Sequence, residues 1–480
     1  FLAFLLNKTL NVAFIGHSDS ATTEELAAAG LGNMMQNVFV LSVVFGLLNA
    51  LDTFVSQAHG RKRMDIACMH LMRGRIVSTI CFIVIVPFFL FTDKFLIFVG
   101  MQPEVAAHAA SYNRYSLIGL YFFLQEEAAA KFFQNVEQPE IKTKIMIATS
   151  ALHVLHAYFW IYYMELSNAG AGIANSITWC TSCAMMNYQL YFNYKLFKIE
   201  HNEQVFSVKQ FKKEFNLKSM KEFLSLGLPC MFIFMAEWCA YEFLAVLVGW
   251  LHDEVELAAH VSFQTILTFF YGFAYGYGET SVTLVGVSVG AGDIVKAKTY
   301  LSACFIQHSC FWFLVVVPLF FFKTSFLCNL LTSKQNVIPK VEEVLLIYAV
   351  LGMFDNFNCI LSGSLRSLGG TNVAARAYMT VNYIFVLPVA YLVSVYYGWG
   401  LKGIWTTDLI GASFIFFWMF RWHSKVDYGE QVRLAKLENN KLESDMDSDL
   451  IEISCQDLQH AQHPENNLEN NDDTEEKLVN

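Results

Sequence analysis

Long apolar blocks alternate with short polar breaks along the chain, at about residues 1–15, 26–52, 75–92, 107–130, 144–164 and 169–193. After a polar, basic stretch they resume at about 222–250, 257–283, 300–322, 341–363, 376–397 and 401–421. Most blocks come close to the roughly 20 residues a helix needs to cross a bilayer. The pattern predicts an all-α polytopic membrane protein with twelve transmembrane helices. The interruption at 194–221 divides it into an amino-terminal six-helix bundle (1–193), a linker and a carboxy-terminal bundle (222–421), followed by a tail (422–480). Phe1 already lies in an apolar block, and no basic segment or small-residue cleavage site follows. The first helix is therefore expected to be incomplete, not a signal peptide.

The two halves repeat each other. GHSDSATTEELAAAG (Gly16 to Gly30) is echoed by GWLHDEVELAAH (Gly249 to His260), and VSQAHG ending at Gly60 is echoed by GVSVGAG ending at Gly292. Parallel repeats joined by a linker are a transporter pattern, with substrate expected between the halves near the midplane.

Composition agrees with the block pattern. The chain is 55% hydrophobic and only 15% charged, which excludes a soluble protein of this size. Its net charge of -10 is confined to the tail: from Val426 onward 15 acids face 4 bases. The positive charge orients the rest. If residues 16–25 are outside, the inside loops hold 19 Lys and Arg, including Arg61, Arg73, Arg75, Lys131, Lys142, seven lysines of the linker and Arg366, against 5 outside. The linker and tail are then cytoplasmic. The tail is rich in Asn, Asp and Glu, so it is expected to be disordered and dispensable for transport, with Ser444 and Ser448 in a setting that suits an acid-directed kinase. The eleven cysteines fall mostly within spans, and only Cys328 lies in a loop placed outside, so they suggest no disulfide framework; Cys180 and Cys183 are read as small apolar filler.

Candidate chemistry lies with acids at membrane depth, which survive where they face a cavity or a partner. Glu237 sits near the middle of the seventh block in AEWCAYEF (Ala236 to Phe243), Glu242 follows one to two turns later, and Asp355 lies at similar depth in the tenth block, followed by Asn356. Two acids on two helices of one half resemble a shared proton or cation site. Five residues turn a helix by about 500°, so Glu237 and Glu242 point about 140° apart and share a pocket only if the helix bends, which Pro229 could cause. Trp238 and Tyr241 are expected at a cavity wall, offering cation–π contact. The other polar residues carry weaker expectations. Glu126 and Glu127 are read as interfacial, and Asp52 and Arg114 as helix-end residues with no mechanistic role. His153 and His156 share a helix face without companion ligands and are read as packed or hydrogen-bonded, not metal-binding. Asp408 stays undecided, and Glu279 is kept as a possible cavity residue.

Gly16-His17, ALDTFVSQAHG (Ala50 to Gly60), MAEWCAYEF (Met235 to Phe243), VSVGAGD (Val287 to Asp293) and SGSLRSLGG (Ser362 to Gly370), in this order, resemble the multidrug and toxic compound extrusion (MATE) transporters over residues 1–421, closest to the eukaryotic branch. The resemblance implies a V-shaped pair of six-helix bundles exporting organic, usually cationic, compounds against protons or sodium, with Glu237, Glu242 and Asp355 fitting the family's acids. Gln264 stands where animal members have a further glutamate; Leu284, Val287 and Ser288 replace polar residues usual before the GAG turn. The first span offers Asn7 and Asn11 but no aspartate, so the amino-terminal ion site of prokaryotic members is expected to be absent, leaving coupling to the second half.

The expected function is a secondary active antiporter of the plasma membrane or an organellar membrane such as the vacuole. It exchanges organic cations for protons, as a monomer without cofactor, and has no nucleic-acid partner. Sodium coupling is the alternative within the family. A lipid-linked substrate flippase would need a basic central cavity, whereas basic residues in the blocks are nearly absent. An embedded enzyme would need a metal or nucleophile cluster at one depth, and a channel would run without a counter-ion gradient.

Overall fold

In lipid every backbone N–H and C=O must be paired within the protein, so apolar blocks of this length become helices. The computed structural model describes residues 2–16, 22–192, 208–251, 253–322 and 336–437. The described residues form twelve long helices: α1 (Leu2–Gly16), α2 (Glu24–Gly60), α3 (Met64–Leu90), α4 (Pro103–Asn135), α5 (Pro139–Tyr163), α6 (Ser167–Phe192), α7 (Leu217–Gly249), α8 (Glu254–Ala291), α9 (Ile294–Phe322), α10 (Ile338–Ser367), α11 (Thr371–Tyr396) and α12 (Gly400–His423). Nine are long and apolar enough on their own to cross a membrane. Their outer faces carry exposed Ile83, Ile118, Leu155, Leu314 and Ile384, as expected of a protein whose solvent is lipid.

Local sequence sets the ends. Thr22 and Glu25 form a reciprocal capping box at the start of α2, and Asp253 caps α8 by accepting from the N–H groups of Val255 and Glu256. Pro103 and Pro139 open α4 and α5, where no donor is lost. Gly292, at φ +79°, stops α8 in a left-handed conformation that suits glycine.

The helices overrun the limits drawn from hydropathy. α2 continues to Gly60, α4 to Asn135 and α10 to Ser367, so Asp52, Lys131 and Arg366 belong to helices and are buried there, and Arg73 and Arg75 likewise belong to α3. This corrects the expectation that basic residues are nearly absent from the spans. Hydropathy ended those helices at or just before Asp52, Lys131 and Arg366, although a charge paired inside the protein does not end a helix. Removing these four bases from the loop count leaves the inside bias in place. The structure also corrects the tail: α12 continues to His423 and a helix covers 428–437. That segment places Tyr428, Val432 and Ala435 three to four residues apart, an apolar stripe the acidic average concealed. The tail beyond 437 with Ser444 and Ser448, the linker residues 193–207 and Cys328 lie outside the described residues.

Helices α1–α6 pack mostly with each other, as do α7–α12, and the halves meet chiefly where α2 lies against α8 and α7. Glycines make the α2–α8 approach close enough for backbone contact. A Cβ on Gly290 would collide with the Gln57 carbonyl, one on Gly60 with the Val287 carbonyl, and one on Gly286 with the Ser56 hydroxyl. The turns ending at Gly60 and Gly292, matched in the sequence as repeats, thus sit beside each other in space. Gly290→Ala is expected to destabilise the protein by about 1–3 kcal/mol, because the clash is with backbone that cannot step aside. A thermal-unfolding midpoint equal to the wild type would refute this.

Candidate functional site

Three acids of different helices line one small cavity. Its volume is about 20 Å³, and its walls are Glu237, Ala240, Tyr241 and Leu244 of α7, Asp355 and Asn358 of α10, Tyr378 and Asn382 of α11, and Asp408, Ala412 and Ile415 of α12. The Tyr241 hydroxyl donates to Asp355 Oδ2 at 3.2 Å, and Tyr271 of α8 hydrogen-bonds Glu237. Asn382 Nδ2 donates to the Ala236 carbonyl, tying α11 to the turn that presents Glu237. No Lys, Arg or His lines this cavity. The volume suits a water-sized occupant, not an organic molecule.

Glu237 also borders a second cavity of about 40 Å³, whose other walls include Asn49, Tyr271, Tyr275, Glu279, Ser362 and Arg366. That cavity leads to a four-charge network at the meeting of the halves. Lys131 Nζ donates to Asp52 Oδ2 at 2.9 Å and to Glu279 Oε2 at 3.0 Å, while Arg366 donates to Asp52 Oδ2 at 2.8 Å and to Glu279 Oε1 at 3.1 Å. Asn135 and Gln134 donate to the same two carboxylates at 2.9 and 2.8 Å, and the Thr283 hydroxyl donates to Asn135 Oδ1 at 2.8 Å. Two cations balance two anions, and one of each comes from either half. A third, larger cavity of about 580 Å³ lies between α4, α5 and α8, walled by Gln134, Glu137, Lys142, Met146, Tyr275, Glu279 and Thr283 among others; its volume suits a small organic molecule.

The structure brings Glu237, Tyr241 and Asp355 together and leaves other candidates outside. Glu242 is half-buried and borders none of these cavities, because α7 runs as one helix through Pro229 and keeps it far around the axis from Glu237. Trp238 stacks on Phe234 and meets the edge of Tyr271, packing behind the 40 Å³ cavity. Gln264 is half-buried on α8 and Asn356 is buried on α10; both lie away from the cavity walls, and Asn358 takes the position expected of Asn356. Glu279 borders the two larger cavities and belongs to the ion network. His153 and His156 are hydrogen-bonded, to Thr178, Asn7 and Asn11, and among the described residues no group of three or more His, Cys, Asp or Glu is placed to hold a metal ion.

Three readings are corrected. Asp52 is a fully buried member of the network, not a helix-end residue without a role. Glu126 and Glu127 are buried rather than interfacial, with Glu127 accepting from Lys142 at 3.1 Å, because α5 and α6 cover that face of α4. Lys131 and Arg366 are functional candidates that the sequence reading counted as loop charges. For Asp408, an acid inside the twelfth block was the only available signal.

These features have counterparts in known proteins. The family described as MatE matches residues 1–159 and 229–392. Multidrug and toxin extrusion protein 1 of Mus musculus is 25% identical over 411 residues, covering 85% of this chain and 70% of that protein. Multidrug and toxin extrusion protein 2 of Oryctolagus cuniculus is 27% identical over 405 residues, covering 83% and 64%. The crystal structure of the eukaryotic MATE transporter AtDTX14 superposes with a TM-score of 0.82 at 19% identity, covering 91% of this chain and 95% of that one. Twelve membrane helices, a repeat that brings α2 and α8 together, and a family match spanning both halves lead to one conclusion: the chain is an integral membrane transporter of the MATE family.

Proposed function

We propose that this transporter is an antiporter that exchanges organic cations for protons, with Glu237 and Asp355 as the groups that bind both in turn. The observation that supports it best is the shared cavity: carboxyls of Glu237 on α7 and Asp355 on α10 line it together, beside Asp408 of α12, with no basic residue in the lining. An ionised carboxylate attracts a cation, and a bound proton removes that attraction. Occupancy by the two is then mutually exclusive, which is the linkage an exchanger needs. At about 20 Å³ the cavity in this conformation suits the proton-loaded state; taking an organic cation requires α7, α10 and α12 to move apart. Tyr241 and the aromatic wall around Tyr271 and Tyr275 would then offer cation–π contact worth about 0.5–2 kcal/mol, favouring flat or quaternary cations.

The four-charge network gives this cycle its gate. Buried ion pairs add little net stability compared with apolar packing. What they provide here is a two-state contact: separating the halves at this seam exposes four charges at once, so the seam is either closed or open to water. The buried bases Arg73, Lys131 and Arg366 are each paired with carboxylates, and Lys8 donates to Asn37, which disfavours the flippase reading with its basic cavity. Uptake of tetraethylammonium, whose charge does not vary with pH, into inside-out vesicles tests the reading. A pH gradient, acidic inside the vesicle, is expected to drive uptake and a sodium gradient is not; the reverse result would make sodium the coupling ion.

Direction follows from orientation. In a background lacking reactive cysteines, Asn202→Cys in the linker is expected to resist an impermeant thiol reagent added to intact cells, and Asp253→Cys to react. The opposite labelling would reverse the topology and the direction of export.

A further inference from the structure

We infer that Asp408 is a third proton-binding carboxyl of the exchange site, so that each cation bound displaces at least two protons. The inference rests on the proton-exchange reading above and extends it to stoichiometry. Asp408 lies on α12, two turns beyond Gly400, and is only 9% exposed. It lines the same cavity as Glu237 and Asp355, so three helices each contribute one acid to about 20 Å³. Two of its lining residues carry unsatisfied acceptors. Asp408 Oδ2 has no hydrogen-bond partner, and neither has Asn358 Oδ1, whose amide nitrogen is already committed to the Ala412 carbonyl at 2.9 Å.

The groups around Asp408 decide what can satisfy them. From α7 come Glu237 and Tyr241, from α10 Asp355 and Tyr348, and from α11 Tyr378; on α8 His260 stacks on Trp405, three residues before Asp408. No cation among them faces the cavity, and its nearest charges are those of Asp355 and Glu237, both of the same sign. Three carboxylates this close in a water-poor site cannot all be ionised. Buried acceptors without donors are also costly, at about 1–3 kcal/mol each. A proton on Asp408 meets both requirements: it removes one charge and turns an acceptor into a donor that Asn358 Oδ1 can receive. With a further proton on Glu237 or Asp355, as the exchange reading has it for the closed state, two of the three acids are protonated. A cation entering the opened site needs ionised carboxylates around it, and the protons leave as it binds.

Proton release on binding tests this directly. The full chain in lipid nanodiscs is mixed with tetraethylammonium in weakly buffered solution containing a pH indicator, and protons released per cation bound are counted across pH. The wild type is expected to release two or more, and its apparent affinity to fall about a hundredfold for each unit by which the pH is lowered where both groups titrate. Asp408→Asn keeps the side-chain shape and is expected to bind the cation while releasing one proton fewer, with the slope falling to about tenfold per unit. Release of a single proton by the wild type overturns the inference and leaves the exchange reading intact, so the test stands even if Asp408→Asn and Asp408→Ser both fail to fold. The same release from a folded Asp408 variant as from the wild type also overturns it. No release at all, or competition by sodium in place of acid, would instead overturn the exchange reading itself.

Discussion

Replacing Glu237 by Gln is expected to abolish pH-driven export while the protein still reaches the membrane. Gln keeps the size and hydrogen-bonding capacity of the side chain but holds it neutral, so it can neither attract a cation nor take up and release a proton. Asp355→Asn should behave alike, since Asp355 borders the same cavity and receives the Tyr241 hydroxyl. Uptake of tetraethylammonium into inside-out vesicles under a pH step should fall at least tenfold for either variant, equivalent to about 1.4 kcal/mol of lost coupling. Glu242→Gln should stay within about twofold of the wild type, because the electrostatic term that separates the two states acts at short range and Glu242 borders none of the cavities described. If Glu237→Gln and Asp355→Asn both transported at the wild-type rate with unchanged pH dependence, coupling would have to lie elsewhere, around Glu279 or in the amino-terminal half.

Lys131→Met should be the most damaging single change outside that cavity. Lys131 is 1% exposed and holds Asp52 and Glu279 together across the seam between the halves. Removing it leaves two buried carboxylates sharing one guanidinium, and breaking a buried pair in this way costs about 3–5 kcal/mol. Yield and thermal-unfolding midpoint in detergent should both drop sharply. Adding Asp52→Asn to Lys131→Met restores neutrality, so the double variant should be more stable than the lysine variant alone, and the difference measures the coupling between the two sites. A Lys131→Met protein as stable as the wild type would mean the network is relaxed or hydrated in the membrane. Arg366→Met should follow the same pattern, because Arg366 bridges the same two carboxylates from α10.

The sequence by itself determined the helical count, the six-plus-six division and the placing of Glu237 and Asp355 on two helices of the second half. Those properties depend on local sums: hydrophobicity over about 20 residues, a proline or an Asp cap at a helix start, a glycine at its end. It also determined that Glu237 and Glu242 point apart, since helix geometry needs nothing but residue spacing. Only the tertiary structure decided which polar residues meet. Asp52, Lys131, Glu279 and Arg366 come from four helices and are separated by up to 314 positions in the chain, so no window along it could pair them. Each alone reads as a helix-end charge or an isolated acid, and it is mutual neutralisation in a dry interior that lets all four be buried. The same holds for Asp408, Asn358 and Asp355. One carboxyl in an apolar span carries no sign of its function until the packing of α7, α10, α11 and α12 closes a cavity around it, because burial and charge compensation are properties of neighbours in space and not of neighbours in sequence.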